Sequence, residues 1–440
     1  MGREIITRRR FLKLAGGAVL ALASGCAFST QKMTAPLKEN IGQPLKKAAK
    51  TLTGDASLDA RFLRQLVTAD CRTSRRIMWQ SEEEQAKAQI VWREKGQSEL
   101  HRVPAEQEGF ADDGQRMYIH QGLLEGLKPG AEYEYCISCG EEGTPWQSLR
   151  TDKGAGFQML IFTDSQSNDY TDWKNIVQAA AKRHPEAQLF TTLGDLVDNG
   201  EDHYQWEQWF EGLAGVQERL PFAPVMGNHE TYDQKWQVRL PLAYLAHFLP
   251  PDNGSRDFSR YYYSFDYGDV HFIVLNTQWQ EIDDFQQGLL EEQKEWLRKD
   301  ARASKKKWRV VMMHRDVLRY GIHNRPQRVP GIEFVGKELM PLFDELHIDA
   351  VLTGHLHTYR NRGHIRNFVR DEKGPLYLLN GLSGNVRYPG LWIDHELDKK
   401  IAPQPETDNY LTLDAARDAL TFRCYLPDGK LIDEVTLRKS

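Results

Sequence analysis

Phe157-Gln158-Met159-Leu160-Ile161-Phe162-Thr163 is a continuous apolar run, and Asp164-Ser165-Gln166 follows it at once. A short apolar run of this kind reads as a strand buried on both faces. The pattern recurs down the chain. Gly194-Asp195-Leu196-Val197-Asp198-Asn199-Gly200 follows an apolar run at 189–193, and Gly227-Asn228-His229-Glu230 follows one at 223–226. His314-Arg315 ends a run at 309–313, and Gly354-His355-Leu356-His357 ends one at 350–353. Further strand candidates lie at 270–275 and 376–379, with helical stretches at 173–182, 285–302 and 336–346. Buried strands alternating with helices predict an α/β architecture. In such sheets ligands bind in the crevice at the carboxyl ends of strands, so the five polar clusters should converge there.

Outward from this region the texture changes. Residues 60–152 carry short strand-like runs, such as Arg76-Ile77-Met78-Trp79 and Ala88-Gln89-Ile90-Val91-Trp92, separated by turn signals. Their spacing predicts a β-sandwich. The run from Gly122 through Leu127-Lys128-Pro129-Gly130 to Tyr133-Glu134-Tyr135 resembles the tyrosine corner of fibronectin-type-III-like domains. The last residues, 410–438, read as strands around Pro427-Asp428-Gly429-Lys430 that close the edge of the second domain.

The first residues read as an export signal rather than as fold. Arg8-Arg9-Arg10 precedes Phe11-Leu12-Lys13 and a short apolar stretch at 14–23, too short to span a bilayer as a stable helix. Arg8-Arg9 with Phe11-Leu12-Lys13 resembles a twin-arginine signal; an ordinary secretory signal with extra arginines is the alternative. Leu22-Ala23-Ser24-Gly25-Cys26 resembles a lipoprotein cleavage box, which implies a lipid anchor at Cys26; plain cleavage is the alternative. Residues 27–57 read as a tether. The organisation expected is therefore 1–25 export signal, 26–57 tether, 58–153 sandwich and 154–440 catalytic domain, in the periplasm or cell envelope.

The length of 440 residues suits two or three domains. Fifty-seven basic against 62 acidic residues, a net charge of −5, leave no basic footprint for nucleic acid. Cys71, Cys136, Cys139 and Cys424 could form disulfides in an oxidising compartment, with Cys71 to Cys136 or Cys139 as one pairing and buried free thiols as the other reading. A single CxxC, Cys136 to Cys139, without a second gives no structural zinc pattern.

The residue types in the five blocks have a chemical logic. Carboxylate, amide and imidazole donors suit Fe, Mn, Zn or similar cations. One carboxylate can bridge two metals, and two metals about 3.5–4 Å apart can hold both the attacking and leaving oxygens of a phosphoryl displacement. His355 and His357 would point oppositely in a regular strand, so the chain after Gly354 must curl. Each block alone is weak, but their order is specific.

That order, D-x-Q, GD-x-x-D-x-G, GNHE, a strand-terminal His and GHxH, resembles the calcineurin-like metallophosphoesterase superfamily. The sandwich and the stretch from Tyr261-Tyr262-Tyr263 to His271-Phe272 look most like its purple-acid-phosphatase branch. The resemblance implies a four-layer α/β/β/α metallophosphoesterase sandwich behind the fibronectin-III-like domain. It implies two divalent or mixed-valence metal ions. Asp164, Gln166, His357 and shared Asp195 would take the first; Asp195, Asn228, His314 and His355 would take the second. A hydroxide between the metals would attack phosphorus, with His229 assisting the transition state or the leaving alkoxide. A phosphomonoester is the implied substrate; a phosphodiesterase or nucleotidase is the nearest rival, and a surface-anchored binding protein the rival of another class.

Two departures from the branch matter. Asp198 stands where purple acid phosphatases have a tyrosine, which removes the basis for an iron–tyrosinate colour. Gln166 stands where the superfamily more often has histidine, a neutral amide oxygen in place of an imidazole. Arg315 and Tyr359 are candidate substrate residues, Arg315 because its guanidinium suits bidentate oxyanion recognition. Substrate specificity is expected in the loops at 252–260 and 320–330.

Overall fold

The computed structural model describes residues 58–255, 257–403 and 407–439. The export signal, the tether and Cys26 lie outside the described residues.

Two sheets face each other. The larger has ten strands in the order Leu431–Arg438, Ala419–Tyr425, Tyr410–Ala415, Phe157–Phe162, Ala187–Leu193, Pro221–Val225, Arg61–Leu66, Arg75–Ser81, Gln115–Leu124 and Glu106–Asp112. The other is built on Tyr263–Tyr267, Val270–Val274, Trp308–Met312, Ala350–Thr353, Leu376–Leu379 and Arg360–Arg366. The strands that precede the polar blocks pair in parallel, Phe157–Phe162 with Ala187–Leu193 and then Pro221–Val225 in one sheet, Trp308–Met312 with Ala350–Thr353 in the other.

The layering follows from side-chain alternation along these strands. Met159 and Ile161 join Leu193 and Val225 in one core with Phe272, Val310, Leu352 and Leu378 of the opposite sheet. Their neighbours Leu160 and Phe162 turn outward to a second core with Trp173 and Val177 of the helix Thr171–Arg183. Val311 and Val351 belong to that same outer core with Leu297, Leu339 and Phe343 of the helices Leu289–Ala303 and Phe334–Glu345. Strands buried on both faces explain the unbroken apolar runs, and each large side chain so buried contributes roughly 1.5–3 kcal/mol relative to exposure. The result is the four-layer α/β/β/α sandwich expected from the sequence.

The N-terminal sandwich is also present, and it is built into the larger sheet. One of its layers is the sheet of Ala88–Glu94, His101–Pro104 and Glu132–Cys139. The other is the end of the ten-stranded sheet, from Arg61–Leu66 to Glu106–Asp112. Leu63, Ile77, Trp79, Ile90, Tyr135 and Ile137 fill the space between. The join is a parallel pairing of Gln65 and Leu66 with Pro221 and Phe222. The tyrosine corner is formed: the Lys128 amide donates to the Tyr133 hydroxyl at 2.8 Å. Cys71, Cys136, Cys139 and Cys424 are free thiols, so the disulfide pairing entertained from sequence is not made; Cys71, Cys136 and Cys424 are buried. Among the described residues no helix is long and apolar enough to cross a membrane.

Candidate metal centre

The parallel strands deliver their polar blocks to one crevice, and the backbone turns sharply as it arrives. Asp164, Asp195, His355 and His357 all adopt left-handed backbone conformations, with φ of 47°, 51°, 82° and 54°. Such a conformation costs a non-glycine residue roughly 1–2 kcal/mol and clusters at functional sites. It also resolves the HxH problem, since His355 and His357 leave strand geometry and both reach the centre. Backbone hydrogen bonds hold the turns: Asp164 N donates to Gly194 O, Gln166 N to Asp195 O, and Gly384 N to Asp164 O. Gly227 is required here, because a Cβ would lie 2.1 Å from Asp195 Oδ1.

Two donor groups result, Asp164, Asp195 and His357 in one, Asp195, His314 and His355 in the other, each with its ligand atoms within 4.8 Å of one another. Asp195 belongs to both. His314 Nδ1 donates to Leu193 O at 2.8 Å, so Nε2 faces inward. That nitrogen lies 3.0 Å from Asp195 Oδ2, 3.2 Å from Asn228 Oδ1 and 3.2 Å from His355 Nδ1. A proton on Nε2 could satisfy only one of these acceptors at a time; a cation satisfies them together. On the other side His357 Nδ1 donates to Val386 O at 2.5 Å, which turns Nε2 toward Asp164 Oδ1 at 3.7 Å. Gln166 Oε1 is buried with no protein partner. The residues therefore fit a pair of cations: Asp164, Gln166, Asp195 and His357 for one, Asp195, Asn228, His314 and His355 for the other.

Burial and mutual charge pull these groups in different directions, and beside Asp195 and Asp164 the His314 ring is raised although burial opposes it. Burial, reinforced by Asp195 and opposed by His314, pushes Asp164 up to about 7. Burial works against ionised Asp195 too, but His314 and His229 overcome it and hold that carboxyl well below its usual range. Burial lowers His357 to about 4 and, with His314 and Arg315, lowers His355 well below the ordinary value. Neutral imidazole is the ligand form.

His229 stands beside the ligands. Its Nδ1 lies 2.7 Å from Asp198 O and donates there. Its Nε2 is 3.8 Å from Asp195 Oδ2 and 3.2 Å from Gln166 Nε2. Burial disfavours the charged ring, yet Asp195 and Asp198 outweigh it and raise His229 to about 10. Asp198 thus holds the orientation of His229 through its carbonyl, with its carboxylate 3.4 Å from Nδ1.

Glu230, the last residue of its block, is an organiser that the sequence reading did not single out. Its Oε2 accepts from Asp195 N at 3.0 Å and Gly227 N at 2.6 Å; its Oε1 accepts from Leu196 N at 2.7 Å and Val197 N at 3.4 Å. One carboxylate so clamps two ligand loops together. Trp209 and Trp206 of the helix His203–Gly212 also anchor these loops, donating to Ser165 Oγ at 3.0 Å and Gly200 O at 2.9 Å. Acidic and aromatic residues just after the ligand blocks were the available signal.

The two candidate substrate residues are committed elsewhere. Arg315 is ion-paired with Glu281 at 2.5 Å, and its guanidinium lies 5.7 Å from the Phe334 ring. Tyr359 is buried in the core between the sheets and its hydroxyl donates to Asp433 Oδ2 at 2.7 Å.

Comparison with known proteins gives a consistent picture. Residues 157–359 match the calcineurin-like phosphoesterase family, and residues 63–151 match the purple acid phosphatase N-terminal domain. Purple acid phosphatase 23 of Arabidopsis thaliana is 25% identical over 307 residues, 61% of this chain and 63% of its own length. Probable inactive purple acid phosphatase 9 of the same plant is 24% identical over 392 residues, 76% of this chain and 58% of its own. The chain thus spans less than two thirds of these relatives. A purple acid phosphatase from yellow lupin seeds shares the fold, with a TM-score of 0.73 at 18% identity over 86% of this chain and 74% of that one.

Proposed function

The chain belongs to the calcineurin-like metallophosphoesterases that carry a purple-acid-phosphatase N-terminal domain, and on that premise we propose that it is an exported binuclear-metal phosphatase acting on phosphomonoesters. The observation that carries the proposal is the place of Asp195 in both donor groups, with Asp164 and His357 on one side and His314 and His355 on the other.

When bound, two cations would supply an activated water and neutralise charge on the phosphoryl oxygens. The chain's own residues do the rest. Asp195 sets the spacing of the two donor groups, and the Glu230 clamp keeps that spacing from relaxing. His314 and His357 are oriented through Nδ1 by Leu193 O and Val386 O, which leaves Nε2 of each for the centre. His229 is oriented in the same way by Asp198 O, so Nε2 is the atom that exchanges a proton with the leaving oxygen. Once Nε2 has given up its proton it can accept from Gln166 Nε2, which stands at hydrogen-bond distance. General acid assistance of this kind contributes about 10²–10⁴-fold. Tyrosine is absent at position 198, so no iron–tyrosinate colour is expected.

The charged and then apolar N-terminal sequence supports export by the twin-arginine route, with Cys26 as a lipid anchor. Fractionation of cells expressing the tagged chain, alongside an Arg8→Lys, Arg9→Lys variant, tests that part.

Elemental analysis of purified protein, with rates on an aryl phosphomonoester and an aryl phosphodiester, tests the chemistry. Two bound metals and faster monoester turnover are expected. Faster diester turnover would make it a phosphodiesterase. Two bound metals without turnover of either ester would leave the binding-protein alternative.

A further inference from the structure

The loop that follows Glu230 carries a large ring into the solvent beside the proposed acid. Trp236 is 50% exposed and sits in a left-handed backbone conformation, φ 60°. The loop is built to hold it there. Asp233 Oδ1 accepts from Lys235 N at 2.8 Å and from Gln237 N at 2.7 Å, and Trp236 N donates to Asp233 O at 3.0 Å. Tyr232 and Val238 pair as an antiparallel bridge at the base of the turn. The Trp236 ring meets His229 edge-on, centroids 5.7 Å apart and planes at 88°, and Tyr232 supports both rings at 5.9 and 5.6 Å.

A second ring stands against another residue of the centre. Tyr388, half-buried, lies 4.8 Å from His357 at an interplanar angle of 35°. Its loop is pinned just ahead of it: Val386 O accepts from His357, and Arg387 pairs with Asp172 at 2.9 Å and Asp408 at 2.5 Å.

A tryptophan held half in water, in a conformation that L-residues avoid, and touching the residue that would protonate the leaving group has its open face next to the alcohol half of a substrate. We propose that Trp236, together with Tyr388, stacks on that alcohol half and selects esters whose alcohol carries a planar ring, as in a nucleoside monophosphate. The inference rests on the phosphatase reading above and deepens it. Base–aromatic stacking is sequence-tolerant and strong enough to change binding about 5- to 150-fold.

The test compares kcat/KM of the metal-loaded full chain on adenosine 5′-monophosphate and on ribose 5-phosphate. Both leave through a primary oxygen on C5 of a ribose, so the chemical step is closely matched and the ratio reports mainly on the base. The nucleotide should be favoured at least about 5-fold. Trp236→Ala should bring the ratio to within about 2-fold of unity, and Trp236→Phe should restore most of the preference, since any aromatic face stacks. Position 236 is exposed, so neither change threatens the fold. Tyr388→Ala should lower the ratio as well. A ratio near one in the parent protein, or an unchanged ratio in Trp236→Ala, overturns the stacking role while leaving the phosphatase reading in place. Turnover of neither ester overturns the stacking role, and the aryl phosphomonoester rate then decides whether the phosphatase reading falls with it.

Discussion

Replacing Glu230 by Gln changes no volume and removes one acceptor, which makes it a clean probe of the centre's scaffold. In the native protein each carboxylate oxygen receives two backbone N–H groups, Asp195 and Gly227 on Oε2, Leu196 and Val197 on Oε1. Whichever oxygen becomes NH₂, two buried N–H donors lose their acceptor and face another donor. A buried donor left unsatisfied costs about 1–3 kcal/mol, so the variant should lose about 2–6 kcal/mol of stability. The Val197 contact is long at 3.4 Å, and an amide nitrogen turned toward Leu196 and Val197 puts the cost at the lower end. The same change loosens the loops that carry Asp195 and Asn228, so metal affinity should fall together with stability. Urea denaturation of the metal-stripped protein isolates the first effect, and elemental analysis after dialysis against a weak chelator reads the second. Stability within about 0.5 kcal/mol of the parent, the range of an ordinary surface substitution, with both metals retained would refute the clamp.

Other expectations follow from the same geometry. Asp195→Asn should lose metal from both positions and activity with it, whereas a ligand of one group, such as His357→Ala, should lose one metal first; elemental stoichiometry distinguishes them. His229→Ala should keep both metals while kcat falls about 10²–10⁴-fold, and metal loss would count against a role as acid. His271 is buried between Asp266 and Asp300, both at 2.8 Å, and although burial opposes the charge, the two carboxylates raise its pKa to about 9. Its folded pKa lies above the unfolded value of about 6.5, so its contribution is full below that pH and is lost as pH rises through about 9. With Asp266 partly exposed, the loss is about 2 kcal/mol. Urea midpoints of the metal-stripped protein from pH 6 to 9.5 should show that decline, and His271→Gln should flatten it; an equal decline in the variant would assign the pH dependence to other groups.

Much of the architecture was legible because the evidence for it is local. Ala350–Thr353 and Leu376–Leu379 are buried over their whole length and almost wholly apolar, since strands covered on both faces have no polar side to interrupt them. The candidate ligands Asp164, Asp195, Asn228, His314, His355 and His357 follow buried strands closely, and their donor chemistry is readable residue by residue. Each stands out because the block and the strand before it lie within a few positions, with a glycine at 194, 227 or 354 in three of the five blocks.

What escaped the sequence depends on residues far apart in the chain. Arg315 suits an oxyanion by its chemistry, but Glu281, 34 positions earlier, pairs with it, and the other candidate substrate residue, Tyr359, gives its hydroxyl to Asp433. The rings against His229 and His357 come from Trp236 and Tyr388, which no local pattern marks. The sandwich read as a domain ahead of the catalytic one, yet Gln65 and Leu66 pair with Pro221 and Phe222 and make one sheet of both. The sequence alone determined which groups could bind metal and which strands carry them, because composition and period are local properties. The tertiary structure decided which of those groups meet, which are already neutralised, and what stands beside them, because charge pairing and backbone hydrogen bonding are settled by neighbours in space.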